Sequence, residues 1–159
     1  MTQFEKIIKL FEQHNIEYII IGGYAAAIHG SARLTSDIDF VYKRSQDNIK
    51  KIAQALKDHH PYLRGAPEGL PFRFDEITIS QGLNFTLKTD LGSIDLLAEI
   101  PGGNYETINP YTIEVDLYSN KVNCVNLKKL IELKKASGRP KDLEVLSELE
   151  LLLLEGQDA

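Results

Sequence analysis

Cysteine occurs once, at Cys124, in a chain of 159 residues. No internal disulfide can form, and a reducing, cytoplasmic setting is the simplest expectation. Long apolar runs are equally scarce: Tyr18–Ile21 and Leu151–Leu154 are far too short to span a bilayer, so no membrane partner is expected. Residues 2–14 mix charges into a helical apolar face at Phe4, Ile7, Ile8 and Phe11. That pattern lacks the uninterrupted apolar core of an export signal, and Thr2 with Glu5 has the spacing of a capping box. Low-complexity tracts and repeats with periods of roughly 20–50 residues are also missing. So are the G-x-G-x-x-G fingerprint, a Gly-Lys-Ser/Thr phosphate loop, a twelve-residue EF-hand loop and any histidine-rich metal motif.

What is present suits one compact soluble domain over 1–159, with a core at 1–125 and a C-terminal helical segment at 126–155. The chain is 43% apolar and 26% charged, and apolar periodicity runs almost to its end, confining expected disorder to the last few residues. The net charge of −5 argues against broad electrostatic capture of nucleic acid. The charge is unevenly spread, however. Lys121–Lys141 carries seven basic residues against one acid, whereas Asp142 to the end carries six acids and no base. Either a local phosphate-binding patch or a solvated charged face fits that asymmetry.

The periodicity predicts a buried strand at Glu17–Ile21, a turn at Gly22-Gly23, and a short helix at Tyr24–His29 stopped by Gly30. A strand at Asp37–Tyr42 and a helix from Ser45 to about Asp58 follow. The proline- and glycine-rich stretch 59–71 predicts a loop. Strands near Asn84–Thr89 and Ser93–Ala98 form a hairpin, 100–104 a loop, and Tyr111–Tyr118 with Lys121–Val125 a second hairpin turning at Ser119-Asn120. Asn126 caps a helix to Ala136, and a last helix covers about Lys141–Leu154. The expected class is α/β (α+β): a mixed, mainly antiparallel sheet flanked by helices, with helices at the C-terminal end.

In Asp37-Ile38-Asp39 two acids alternate with apolar residues on a strand. Both carboxylates therefore project from one face, while Ile38 and Phe40 enter the opposite layer. Carboxylates this close repel, and a divalent cation relieves the repulsion. Magnesium prefers carboxylate and phosphate oxygens, and two ions about 4 Å apart suit an in-line phosphoryl displacement. An isolated D-x-D is more commonly a pair of surface acids. A third acid, Asp95, lies in a strand with apolar neighbours on both sides, and burial there demands a partner. Asp90 in a turn and Asp116 on an exposed strand face are weaker competitors. Gly22-Gly23, between a buried strand and a helix, lets a phosphate approach the backbone, although such a pair also makes any tight turn. Lys134 falls in the middle of the apolar face set by Leu127, Leu130 and Ile131; an anion would explain it, as would an ammonium escaping to water along its stem. Arg139, in the loop that follows, could grip a phosphate with its fork. His29 reads as a helix cap, and His59-His60 as surface.

Together, Gly22-Gly23, thirteen residues, Asp37-Ile38-Asp39 and the later Asp95 resemble the DNA polymerase beta-like nucleotidyltransferase superfamily. The fuller string from Gly22 through Ala25, His29, Gly30, Arg33 and Thr35 to Asp39 resembles its small prokaryotic branch, which includes abortive-infection and toxin–antitoxin nucleotidyltransferases. The segments from Leu127 to Lys134 and from Gly138 to Asp142 are similar to that branch's closing segment. The resemblance implies a nucleotidyltransferase fold. It also implies an enzyme that moves a nucleoside monophosphate from a nucleoside triphosphate, ATP included, to a hydroxyl, releasing pyrophosphate. Asp37, Asp39 and Asp95 would bind Mg2+ or Mn2+, Asp95 helping to deprotonate the acceptor. Gly22 and Gly23 would cradle the triphosphate, Arg33 and Thr35 would orient it, and Lys134 and Arg139 would contact it. The acceptor could be RNA, a protein hydroxyl or a small molecule, and an antitoxin could be a partner. A catalytically silent nucleotide- or protein-binding partner of such a system is the alternative, and a two-metal phosphohydrolase a third.

Overall fold

A computed structural model describes residues 2–157; the last residues, to which disorder was assigned above, lie outside that range. The chain opens with helix α1 (Gln3–Gln13), strand β1 (Tyr18–Ile21), helix α2 (Gly22–Ile28), strand β2 (Asp37–Tyr42) and helix α3 (Gln46–Leu56). A two-residue strand β3 (Tyr62–Leu63), helix α4 (Glu76–Gln81) and the hairpin β4 (Phe85–Thr89) and β5 (Gly92–Leu97) come next. Short β6 (Glu99–Ile100) and β7 (Gly103–Asn104) lead to helix α5 (Tyr105–Ile108) and a 3-10 turn (Asn109–Tyr111). Strands β8 (Thr112–Leu117) and β9 (Asn120–Val125) and helices α6 (Leu127–Ser137) and α7 (Pro140–Gln157) finish the chain.

The seven-stranded sheet has the order β3-β4-β5-β2-β1-β9-β8. Its β2–β5 and β1–β9 pairs are parallel and the other four antiparallel, so the sheet is mixed and mainly antiparallel, flanked by helices as expected. Local chemistry sets most boundaries. Ser45 Oγ accepts from the Asn48 N–H to start α3, and Asn126 Oδ1 accepts from the Lys129 N–H at 2.7 Å to start α6. Gly138, at φ +67°, closes α6 in the left-handed conformation. At Thr2 half of the capping box forms: its hydroxyl accepts from the Glu5 N–H at 3.1 Å.

The structure departs from the periodicity in places where regularity is imposed from outside the segment. β3 exists because Tyr62 and Leu63 pair with Lys88 and Leu87 at the sheet edge, inside what composition marks as a loop. α4 is too short to show a helical period, and the Arg44 guanidinium donates to the Ile79, Ser80 and Gly82 carbonyls at its end. Gly22 and Gly23 lie inside the first turn of α2 instead of preceding it. The second hairpin turns at Tyr118-Ser119, both at positive φ, one residue earlier than predicted.

Alternation along β2 is as expected: Ile38 and Phe40 are fully buried, whereas Asp37 and Asp39 face the other side and are less so. Phe40 packs on Phe11 of α1 and Tyr18 of β1, with ring centroids 4.8 and 5.0 Å apart. Burying one such ring contributes about 2–3 kcal/mol. Fully buried Asn48 ties the two strands by donating to the Glu17 and Lys43 carbonyls and accepting from the Glu17 N–H. A rigid apolar layer on one side of β2 thus holds the acids on the other.

Candidate active site

Strand register brings the third acid to the pair. β2 and β5 run parallel with Asp39 opposite Asp95 and Asp37 opposite Ser93, so three carboxylates share one patch of the sheet. Asp39 is the most constrained of them. Burial foremost, then a hydrogen bond to Asp95 and the charges of Asp95 and Asp37, push its pKa up to about 7, while Lys134 acts in the opposite direction. Its Oδ1 is buried and has no hydrogen-bond partner among the described residues. Such an orphaned acceptor is destabilising unless a cation or donor meets it.

The glycine pair has a steric role. Gly22 has φ +70°, and a Cβ there would overlap Asp39 Oδ2. A Cβ on Gly23 would stand 2.9 Å from Thr35 Oγ1. The start of α2 is therefore bare because Asp39 and Thr35 lie against it. Ile21, the residue capping this helix, offers no side-chain oxygen to the N–H groups of the first turn. Thr35 Oγ1 donates to the Asp37 carbonyl at 3.0 Å and fixes the approach to β2.

Lys134 meets an anion, but a protein one. Its Nζ lies 3.3 Å from Asp142 Oδ1, and Asp142 is 1% exposed. Arg139 Nε and Ser137 Oγ both donate to Asp142 Oδ2 at 2.7 Å. Burial alone would raise the Asp142 pKa; the bonds from Arg139 and Ser137 and the neighbouring Lys134 outweigh it and hold it at about 2. Much of the basic run is matched in the same way. Lys135 pairs with Glu150, Lys129 with Glu132, and Lys121 with Glu114 and Asp116, all exposed acids, so these lysines fit the solvated charged face.

Arg33 turns toward α7, where its guanidinium donates to the Glu144 carbonyl and lies 3.7 Å from the Glu144 carboxylate. Glu148 holds the same loop through Ser31 Oγ at 2.6 Å and the Ala32 N–H at 3.0 Å. His29 closes α2 and bonds the Val125 carbonyl at 2.8 Å, a tie between elements.

Two clefts meet at the acids. One of about 440 Å³ is lined by Gly23, Arg33, Thr35, Asp37, Asp95 and Lys141; the other, about 340 Å³, has apolar walls from Leu97, Ile100, Pro101, Leu130 and Leu133. Asp39, Lys134, Arg139 and Asp142 line both. Gly22, Gly23, Arg33, Thr35, Asp37, Asp39, Asp95, Lys134 and Arg139 thus each border one or both clefts, whereas His29, Asp90 and Asp116 border neither. A larger cleft of about 710 Å³ lies against α3 and the segment before α4, away from the acids. Its Asp75 is accounted for as the cap of α4, accepting from the Thr78 N–H at 2.9 Å.

Sequence reasoning missed two participants. Asp142 opens the acidic C-terminal stretch and ends the segment similar to the family's closing segment, with no role of its own assigned to it; its i,i+3 spacing from Arg139 is the usable signal. Arg64 sat in a stretch read as a plain loop. Its Nη1 lies 3.1 Å from Asp37 Oδ2 and its Nη2 donates to Asp95 Oδ1, so one guanidinium bridges two of the three acids. Among the described residues no three His, Cys, Asp or Glu side chains are grouped as a ready-made metal cage, and Arg64 occupies oxygens of Asp37 and Asp95, so it is the chemistry of the donors that points to a cation. The donor set itself fits a hard divalent cation: three carboxylates on adjacent strands, one oxygen buried and unpartnered, and a cationic group already drawn to the others.

No protein-family model and no curated protein matches the chain. Its architecture does match solved structures. The lincomycin-bound lincosamide antibiotic adenylyltransferase LnuA superposes with a TM-score of 0.63 at 19% identity, covering 94% of this chain and 96% of that one. The solution structure of antibiotic-resistance factor ANT(2'')-Ia gives 0.55 at 14% identity, over 98% and 90% of the two chains. A Thermotoga maritima protein named as a candidate nucleotidyltransferase gives 0.55 at 14%, over 93% and 94%. The fold is that of the nucleotidyltransferases.

Proposed function

We propose that this protein is a metal-dependent nucleotidyltransferase that moves a nucleoside monophosphate from a nucleoside triphosphate to a hydroxyl acceptor and releases pyrophosphate. The observation that carries this reading is Asp39, opposite Asp95 and beside Asp37, with a buried carboxylate oxygen that no described residue satisfies. Asp37, Asp39 and Asp95 would hold Mg2+ or Mn2+, which when bound would neutralise the acids and the charge that develops on the transferring phosphate.

The protein's own groups divide the remaining work. The polar cleft beside Gly23, Arg33 and Thr35 takes the triphosphate, with Lys134 and Arg139 among its lining and Asp142 fixing both cations in place. The apolar-walled cleft on the other side of Asp39 receives the acceptor. The acceptor oxygen, presented at Asp39 where the two clefts meet, bonds to the α-phosphorus as the bond to the pyrophosphate oxygen breaks, and its proton passes to Asp95 of the triphosphate cleft. Positioning and electrostatics account for most of such a transfer.

A silent nucleotide- or protein-binding partner is the second reading, and the ion pairs of Arg64 with Asp37 and Asp95 are the observation that favours it. Incubation with each labelled triphosphate, Mg2+ and an acceptor panel separates the two. The panel should hold tRNA, total protein and hydroxylated antibiotics, lincomycin included because the LnuA structure contains it. Label on one acceptor, lost in Asp37→Asn and Asp39→Asn proteins that still fold, is the expected result. Nucleotide binding with no labelled acceptor would leave the silent reading.

A further inference from the structure

The row of residues that crosses the sheet at Asp39 extends further than Asp39 and Asp95. Asp39 faces Asp95 on β5, and Asp95 faces Thr86 on β4. The Arg64 N–H donates to the Thr86 carbonyl at 2.9 Å, which places Arg64 at the end of the row, directly after β3. From there its side chain reaches across the sheet to Asp37 and Asp95. A two-residue edge strand is a weak anchor. Gly65 follows at φ +85° and Gly69 repeats that conformation, with nothing within 4 Å of a Cβ built on either. The guanidinium is thus strongly held by charge, while the backbone that delivers it lies at the edge of the sheet beside open space.

We propose that Arg64 is a latch on the acids, competing with the divalent cation for Asp37 and Asp95, so that cation binding releases Arg64 and loosens the segment around it. The inference rests on the metal-dependent reading above. Its physical basis is exclusion. The Asp37 and Asp95 oxygens that hold the guanidinium are ligands that a divalent ion shared with Asp39 would require, and two cations cannot occupy the same lone pairs. The third acid fits this arrangement, because the latch leaves Asp39 Oδ1 without a partner.

Mn2+ binding measured by calorimetry or by electron paramagnetic resonance, with no nucleotide present, tests the latch without reference to turnover. Arg64→Ala should bind Mn2+ about tenfold more tightly than the wild type. Arg64→Lys should fall between them, because a single ammonium lacks the fork that spans two carboxylates. Independently of any variant, hydrogen exchange at the amides of residues 62–66 in the wild-type protein should accelerate on adding Mn2+. Equal or weaker Mn2+ binding by Arg64→Ala, unchanged exchange, or absence of Mn2+ binding in both proteins would overturn the latch. Competition seen without transfer to any acceptor would instead count against the transferase reading alone; transfer with equal Mn2+ affinities would count against the latch alone.

Discussion

Lys134 lies 3.3 Å from Asp142, across the junction of two helices, and both side chains are largely removed from solvent. This pair converts a lysine on an apolar helix face from a liability into a fixed positive charge beside Asp39. The same carboxylate takes the Arg139 and Ser137 bonds, so three donors depend on one acid.

Asp142→Ala should therefore remove about 3 kcal/mol of stability, the usual effect of breaking a buried ion pair and stranding its partner. Urea denaturation measures it. Asp142 has its pKa held at about 2, below the ordinary carboxylate range, so its contribution is fully present above about pH 4. It fades as pH falls toward 2. The stability difference between the wild type and Asp142→Asn should shrink over that interval; a difference independent of pH would contradict the role assigned to Asp142.

The opposite sign applies to Asp39. Its pKa is raised to about 7, so the fold favours its protonated form and is progressively opposed as pH climbs from the usual carboxylate range through neutrality. Asp39→Asn should gain on the order of 2–4 kcal/mol relative to the wild type at pH 8 and little at pH 4. Mg2+ should stabilise the wild type and leave the variant unmoved. Denaturation curves at both pH values, with and without Mg2+, test all three statements.

Gly22→Ala places a methyl group on Asp39 Oδ2 at a residue with φ +70°. Both the overlap and the left-handed backbone are unfavourable, and a loss of about 2 kcal/mol or more with collapse of transfer is expected. Thermal unfolding with the labelling assay would show it. Full activity with wild-type stability would mean the acid does not lie where the fold puts it.

Glu148 acts on the loop that precedes β2. Replacing it with Gln keeps one hydrogen bond to Ser31 or Ala32 and weakens the other. The expected effect is a several-fold rise in KM for the triphosphate with kcat nearly unchanged, since Glu148 touches no part of the acid cluster. A fall in kcat at constant KM would place Glu148 elsewhere in the mechanism.

Features governed by neighbours in the chain were readable from the residues alone. The β-branched and aromatic run from Asp37 through Tyr42 marks β2 to its ends, and Ser45 and Asn126 start their helices because a cap acts within three residues. The Asp90–Gly92 turn joined the first hairpin for the same local reason. The three acids could be nominated as a set, but not their arrangement. Asp39 faces Asp95 because β2 and β5, separated by about fifty residues, pair in parallel with that register and no other, and register is decided by packing across the whole sheet. Arg64 was beyond sequence reasoning for a related cause, and only the i,i+3 spacing from Arg139 hinted at Asp142. A loop arginine and a surface-like acid acquire meaning through what faces them, and what faces them comes from other elements: Asp37 and Asp95 for Arg64, and Lys134 of the preceding helix for Asp142. Periodicity and capping determined most of the elements, though not β3 or α4. Tertiary structure alone decided which charges meet, because charges meet through space.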